Sequence, residues 1–265
     1  TFAGTEDLGG GMLASFKLAT RINADSGSTN APGAVLNSPA GTYWTQESSV
    51  GLRGGWGSLT LGRQMTAALL PQLLVDPWFW DNTTNGFAAG TGYIGNLWYN
   101  DAATYAYDAG AFSFTAQVAA KDANPGWSGT PHKTPYSFAL GYAPGPWQLR
   151  FGYEKPADGR SKLATLFGGY DFGAFTLNAM VAGGTDHTDA SVRTWALSSV
   201  VPAGTGQFRA SFGHYKRADV VASQKLALGY HHFLSKRTSV YTTFAHDSKA
   251  PARKSGYEVG LQHVF

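Results

Sequence analysis

The chain has no cysteine, little charge and no long apolar run. The missing cysteine excludes disulfide stapling and thiolate chemistry, and it suits an exported protein. Charged residues make up 14%, against roughly 25% in soluble domains. Hydrophobic content of 43% argues against a disordered polyelectrolyte. The 20 basic and 17 acidic residues leave only +3, too weak a bias for a nucleic-acid partner. No stretch approaches 18 consecutive apolar residues, so a transmembrane helix is not expected. The opening TFAGTEDLGGG carries no basic region followed by an apolar run, so no signal peptide is read within it.

Signals for catalysis are also missing. The histidines His132, His187, His214, His231, His232, His246 and His263 are scattered, with no HExxH pair. There is no Gly-x-Ser-x-Gly elbow, and the glycine runs lack the following helix that a phosphate cradle needs. Asp186 and Asp189 form only one carboxylate pair, and His231-His232 reads as rim or surface. The expectation is a non-enzyme with no cofactor and no metal.

What is present is alternation with period two. Phe112, Phe114, Ala116 and Val118 interleave Ser113, Thr115, Gln117 and Ala119. The same pattern runs through Trp147–Glu154, Phe175–Val181 and Tyr257–Phe265. Such runs are strands with one apolar face and one face tolerant of polarity. The separators alternate in length. Tight ones fall at 8–10, 54–57, 109–110, 144–146, 172–173, 202–205 and 234–237; longer polar ones fall at 21–43, 122–134, 155–161, 184–190, 217–220 and 248–253. An up-and-down barrel with turns at one rim and loops at the other gives that order, whereas a sandwich has no reason to.

Coarse counting gives about fifteen strands, many 9–12 residues long, enough to cross the hydrocarbon when tilted. Bacterial barrels of one chain have even numbers, and the first strand begins in mid-pattern at Thr1, so an N-terminal strand is expected to be missing and the full count to be sixteen. Aromatic residues gather near strand ends, including Trp98, Tyr99, Trp147, Tyr153, Tyr170, Tyr215, Tyr230 and Phe233, as in a membrane-interface girdle. The chain therefore reads as one all-β domain over 1–265, a transmembrane antiparallel up-and-down β-barrel.

Residues 65–99 break the pattern. Helix-prone Thr66 to Leu70 is stopped by Pro71, and Asp76, Pro77, Trp78, Phe79, Trp80 and Asp81 follow. A connection this long without an element of its own is usually functional or disordered, and its aromatic content argues against disorder. In a wide barrel it can fold inward, with Trp78, Phe79 and Trp80 against the wall and Asp76 or Asp81 toward the pore. A constriction needs charge on both sides to sort ions. Arg63 immediately precedes the loop; strict parity places it outward, but Gly62 permits an irregularity that turns it inward. Other candidate lumen or rim cations are Lys17, Arg53, Arg150, Arg193, Arg209 and Lys225.

These residues resemble a family. FAGTEDLGGG at 2–11, VGLRG at 50–54, GSLTLGRQ at 57–64, LSKRTSVY at 234–241 and the ending GLQHVF at 260–265 are together similar to general bacterial porins of the betaproteobacterial type. The resemblance covers the whole chain. It implies a 16-stranded, trimeric outer-membrane barrel with the 65–99 loop folded inside, passing ions and small hydrophilic solutes by passive diffusion. The implied partners are outer-membrane lipid and lipopolysaccharide, further copies of the chain, and permeating solutes. It also implies a wall role for Arg63 at the constriction, with Ala3 and Ala106 standing where two further arginines would be. The competing reading is a substrate-selective channel for an oligosaccharide or organic acid, with Trp78, Phe79 and Trp80 bare along the pore. A surface-binding barrel with 21–43 as its ligand loop ranks last.

Overall fold

A computed structural model describes residues 1–23, 26–29, 43–80, 97–124 and 129–264. Among the described residues fifteen strands follow in chain order: β1 Phe2–Gly9, β2 Met12–Ala19, β3 Glu47–Gly54, β4 Gly57–Met65, β5 Trp98–Ala109, β6 Phe112–Ala119, β7 Tyr136–Tyr142 and β8 Trp147–Lys155. The series continues with β9 Lys162–Asp171, β10 Thr176–Thr185, β11 Ser191–Ala203, β12 Gly206–Arg217, β13 Val220–Phe233, β14 Thr238–Asp247 and β15 Ser255–His263. Each strand is hydrogen-bonded to its neighbours in sequence, so the sheet order is β1 through β15 without a crossover. The only helical turns among the described residues lie between β4 and β5: a 3-10 turn Ala67–Leu69 and α1 Leu70–Leu74.

The chain divides into two compact units. One holds residues 1–69, 94–141 and 152–163; the other holds 70–93, 142–151 and 164–265. Within each, alternation of residue type becomes alternation of exposure. On β6 of the first unit, Phe112, Phe114 and Val118 are exposed while Gln117 and Ala119 are buried. On β11 of the second, Trp195 and Leu197 are exposed while Val192, Thr194, Ala196 and Ser198 are buried. The covered face is small and hydroxylated, with Thr165, Thr194, Ser198, Ser211, Ser223, Ser239 and Thr243 all buried in the second unit.

Leu149, Phe175, Leu177, Leu226, Leu228, Val259 and Leu261 are exposed as their parity demands; Phe151 is half-covered. In water this arrangement would forfeit roughly 25 cal/mol per Å² of apolar surface left wet. A polar covered face behind an apolar exposed one is the reverse of a soluble core and matches a strand that meets lipid on one side.

Candidate functional site

The 65–99 connection begins with a bulge. Gly62 has φ +116, and the β4–β5 register slips between Gly62 and Gln64. Arg63 and Gln64 are then both buried, although strict alternation allows only one of them. The Arg63 guanidinium donates from Nε and Nη2 to the carbonyl of Thr45 at 2.9 and 2.7 Å, and from Nη1 to Asn100 Oδ1. Asn100 is itself fixed by Asn124, whose Oδ1 accepts its N–H and whose Nδ2 donates to its carbonyl. Arg63 therefore sits at the root of the connection, where Thr66 N–H donates to the carbonyl of Leu97.

The middle of the connection is built on α1. Pro71 sits in its first turn, where a missing N–H costs nothing. Beyond α1, Asp76 organises a tight turn: Oδ1 accepts the N–H of Trp78 at 3.0 Å and Oδ2 that of Trp80 at 3.1 Å. Phe79 and Trp80 take positive φ of 51° and 59°. For aromatic residues that backbone is strained, and it persists here because both rings' neighbours are anchored. Val75 packs with Phe167, Met180 and Ala196, flanked by Leu74 and Trp80. Trp78 packs on Ala227 and Ala245 and is 4% exposed. Gly229 makes room for its ring, since a Cβ there would lie 2.9 Å from Trp78 Cζ2. Phe79 points the other way and is 60% exposed.

The charges near this turn come from β12 and β13. Arg209 donates from Nη1 to the carbonyl of Pro77 at 2.8 Å. With the Gln207 amide oxygen turned toward it, Arg209 also donates to Gln207 from Nε and Nη2 at 2.8 and 2.5 Å. Asp76 is fully buried, and burial pushes its carboxyl up to about 6, against the N–H groups of Trp78 and Trp80 and the charges of Lys225 and Arg209. A cavity of about 360 Å³ opens beside the turn, lined by Asp76, Phe79, Gln148, Asn178, Gln207 and Arg209 among others.

The remaining candidates are placed differently. Lys17 lies on the covered face and pairs with Glu47 at 2.7 Å; Arg53 is exposed at the turn end of β3, in register with Leu13 and Ser58. Arg150 alternates with exposed Leu149 on β8, on the polar face with Gln148 and Gly152. Arg193 shares the exposed face of β11 with Trp195 and Leu197 and sits 3.7 Å from Asp219, so it is no lumen cation. Asp186 is closed off by donors: partial burial raises its carboxyl, but hydrogen bonds from Thr188, Arg217 and Ala190 outweigh that and hold it below the usual range. His231, read from sequence as rim or surface, is buried on β13 and stacks on Tyr241 at 5.1 Å. Asp81 and Phe265 lie outside the described residues.

Residues 1–250 match the family described as Gram-negative porin. The chain belongs to that family. It is 27% identical over 312 residues to outer membrane porin protein 32 of Delftia acidovorans, covering 99% of this chain and 83% of that one. Its fold is that of solved porins. The anion-selective porin from Comamonas acidovorans matches with a TM-score of 0.78 at 22% identity, covering 99% of this chain and 88% of that one. OmpF of Salmonella typhi, solved with daunomycin, matches with a TM-score of 0.74 at 11% identity over 98% of this chain and 87% of its own. The chain is thus an outer-membrane porin, a β-barrel channel for passive diffusion and not an enzyme. Val75 and Trp78 hold the connection against the covered face of the second unit.

Proposed function

We propose that the 65–99 connection is the constriction of this single porin domain, and that Asp76 with the wall cations Arg209 and Lys225 sets its field. The observation that supports this most is the Arg209–Pro77 hydrogen bond beside the buried Asp76, which puts fixed charges of both signs at one point on the channel side. Opposed charges beside a watery gap orient dipolar solutes and sort ions. Arg63 serves as the basic anchor at the root of the connection, and Arg53 and Arg150 add positive potential along the polar face, where Lys17 is balanced by Glu47. Asp81 belongs to the same proposal by sequence alone.

The aromatic residues favour general diffusion over a sugar track. Trp78 is spent on the wall, and Phe79 is the one ring of the three left largely bare. Permeants are ions and small hydrophilic solutes. The preference for anions named for the Comamonas relative carries over here as a proposal, resting on the cations around Asp76. Assembly as a homotrimer in contact with outer-membrane lipid and lipopolysaccharide is proposed from the porin relatives, among them a trimer form of OmpT from Vibrio cholerae. Planar-bilayer recording in a salt gradient tests the field: Arg209→Gln is expected to move the reversal potential toward cations. An unchanged reversal potential at low salt, where screening is weak, overturns the assignment.

A further inference from the structure

A second cavity lies on the wall formed by β12 to β15, behind Trp78. It holds about 340 Å³ and is lined by Trp78, Arg209, His231, Tyr241, Gln262 and His263, with Leu261 at its edge. We propose that it binds a small oxyanion or carboxylate, and that an occupant pins the 65–99 connection to the wall. The pinning rests on the constriction reading given above; the binding does not.

The cavity carries polar groups that the protein leaves unserved. Trp78 is 4% and His231 3% exposed, yet the indole Nε1 and both imidazole nitrogens have no hydrogen-bond partner. A buried polar atom without a partner is destabilising, and both residues that carry these atoms line the cavity, which marks it as a place for a ligand. The His231 ring cannot swing away, because it lies parallel to Tyr241 with 13° between planes. Tyr241 in turn is fixed by donating its hydroxyl to Glu258 at 2.7 Å.

Charge decides the class of ligand. Among the described residues the lining includes Arg209 and no acidic side chain, Glu258 standing behind Tyr241. Arg209 has five N–H hydrogens, of which Pro77 and Gln207 take three, leaving two for a guest. Indole N–H is a donor only, and imidazole can present an N–H as well. Three donor residues lining one cavity, one of them carrying a positive charge, suit an oxygen anion such as phosphate, sulfate or a short carboxylate. The donors come from the connection, from β12 and from β13, so an occupant that touches all three ties the loop to two strands. Occupancy therefore regulates how firmly the loop stays seated.

The test titrates the intact porin in detergent with inorganic phosphate and with sulfate, against chloride at matched ionic strength and against xylose, following tryptophan fluorescence. Saturable responses to phosphate and sulfate are expected, at least tenfold weaker in Trp78→Phe and in His231→Phe, each of which keeps a ring and removes the nitrogen. Gln262→Glu keeps both rings, places a carboxylate on the lining and is expected to weaken phosphate at least fivefold; it serves if either ring variant fails to fold. In bilayers, phosphate should reduce current flicker in wild type and leave Gln262→Glu unaltered. No saturable response to either oxyanion overturns the site, as does equal affinity in all three variants or a response to xylose in place of phosphate. A wild-type protein that conducts no chloride overturns the channel reading instead, while the titration in detergent stands by itself.

Discussion

Arg209 on β12 donates its Nη1 hydrogen to the main-chain carbonyl of Pro77 across 2.8 Å. One side chain thereby does two things: it holds the turn after α1, and it keeps a positive charge beside the carboxyl of Asp76. Hydrogen bonds from charged donors are worth about 1.5–3 kcal/mol when their partner is otherwise unserved. Arg209→Lys retains the charge but not the planar fork that reaches Pro77 and Gln207 together. The expected outcome is a noisier channel with near-normal selectivity in Arg209→Lys, and both noise and a cation shift in Arg209→Gln. Quiet single-channel traces from Arg209→Lys would show that the bond to Pro77 does not steady the loop.

A pH dependence follows from Asp76. Its carboxyl is raised by burial from 3.8 to about 6, so the folded protein holds this proton more tightly than the unfolded chain. The stability this group contributes is complete below 3.8 and is lost as pH rises through about 6. Charge follows the same window: at pH 5 the carboxyl is neutral and no longer opposes Arg209 and Lys225, whereas at pH 7.5 it does. Reversal potentials should therefore move toward anions on going from pH 7.5 to pH 5, and Asp76→Asn should be flat across that interval. An equal shift in Asp76→Asn would place the titrating group elsewhere.

Gly229 sets how closely Trp78 approaches the wall. A Cβ at this position would meet Trp78 Cζ2 and the carbonyl of Thr242, each at 2.9 Å. The indole packs with Ala227 and Ala245 in one buried cluster, so moving it away from a new side chain disturbs that packing. Gly229→Val is expected to unseat the ring and forfeit about 1–3 kcal/mol of packing. The loop would then be cut faster by added protease between residues 75 and 80, while β-sheet circular dichroism stays unchanged. Equal cleavage rates in variant and wild type would argue against this seat.

The strands and turns were legible because period two is a direct image of strands with one exposed apolar face and one covered face. Exposed Leu226 and Leu228 against buried Ala227 show that image at its plainest. The turn ranges were legible for the same reason, since alternation stops where the chain reverses. The partners of the loop were not. Asp76 and Arg209 are separated by more than a hundred residues, and nothing in the sequence near either says that Pro77 will present its carbonyl to β12. A tandem histidine looks solvent-exposed, whereas His231 is buried and stacked on Tyr241 of the neighbouring strand, which the sequence near it does not announce. For Arg193 alternation leaves lumen and rim both open, and only the structure sets it beside Asp219 on the exposed face of β11.

Gly62 offers the sharpest test of how the sequence shapes the root of the loop. Its φ of +116 is a conformation that side chains with a Cβ avoid, and a Cβ built there would collide with the carbonyl oxygen of Ser48 on β3. The bulge that this glycine permits is what lets Arg63 leave the face of Leu59 and Leu61 and bind Thr45 and Asn100. Gly62→Ala should cost about 1–3 kcal/mol, read as a lower unfolding midpoint in detergent. If the glycine acts through the arginine, the two changes overlap. Arg63→Gln in the Gly62→Ala background should then cost clearly less than in wild type, because its bonds are already lost. Strict additivity in that double-mutant cycle would mean that the bulge and the buried guanidinium are independent, and that Arg63 reaches Thr45 whatever the backbone does at position 62.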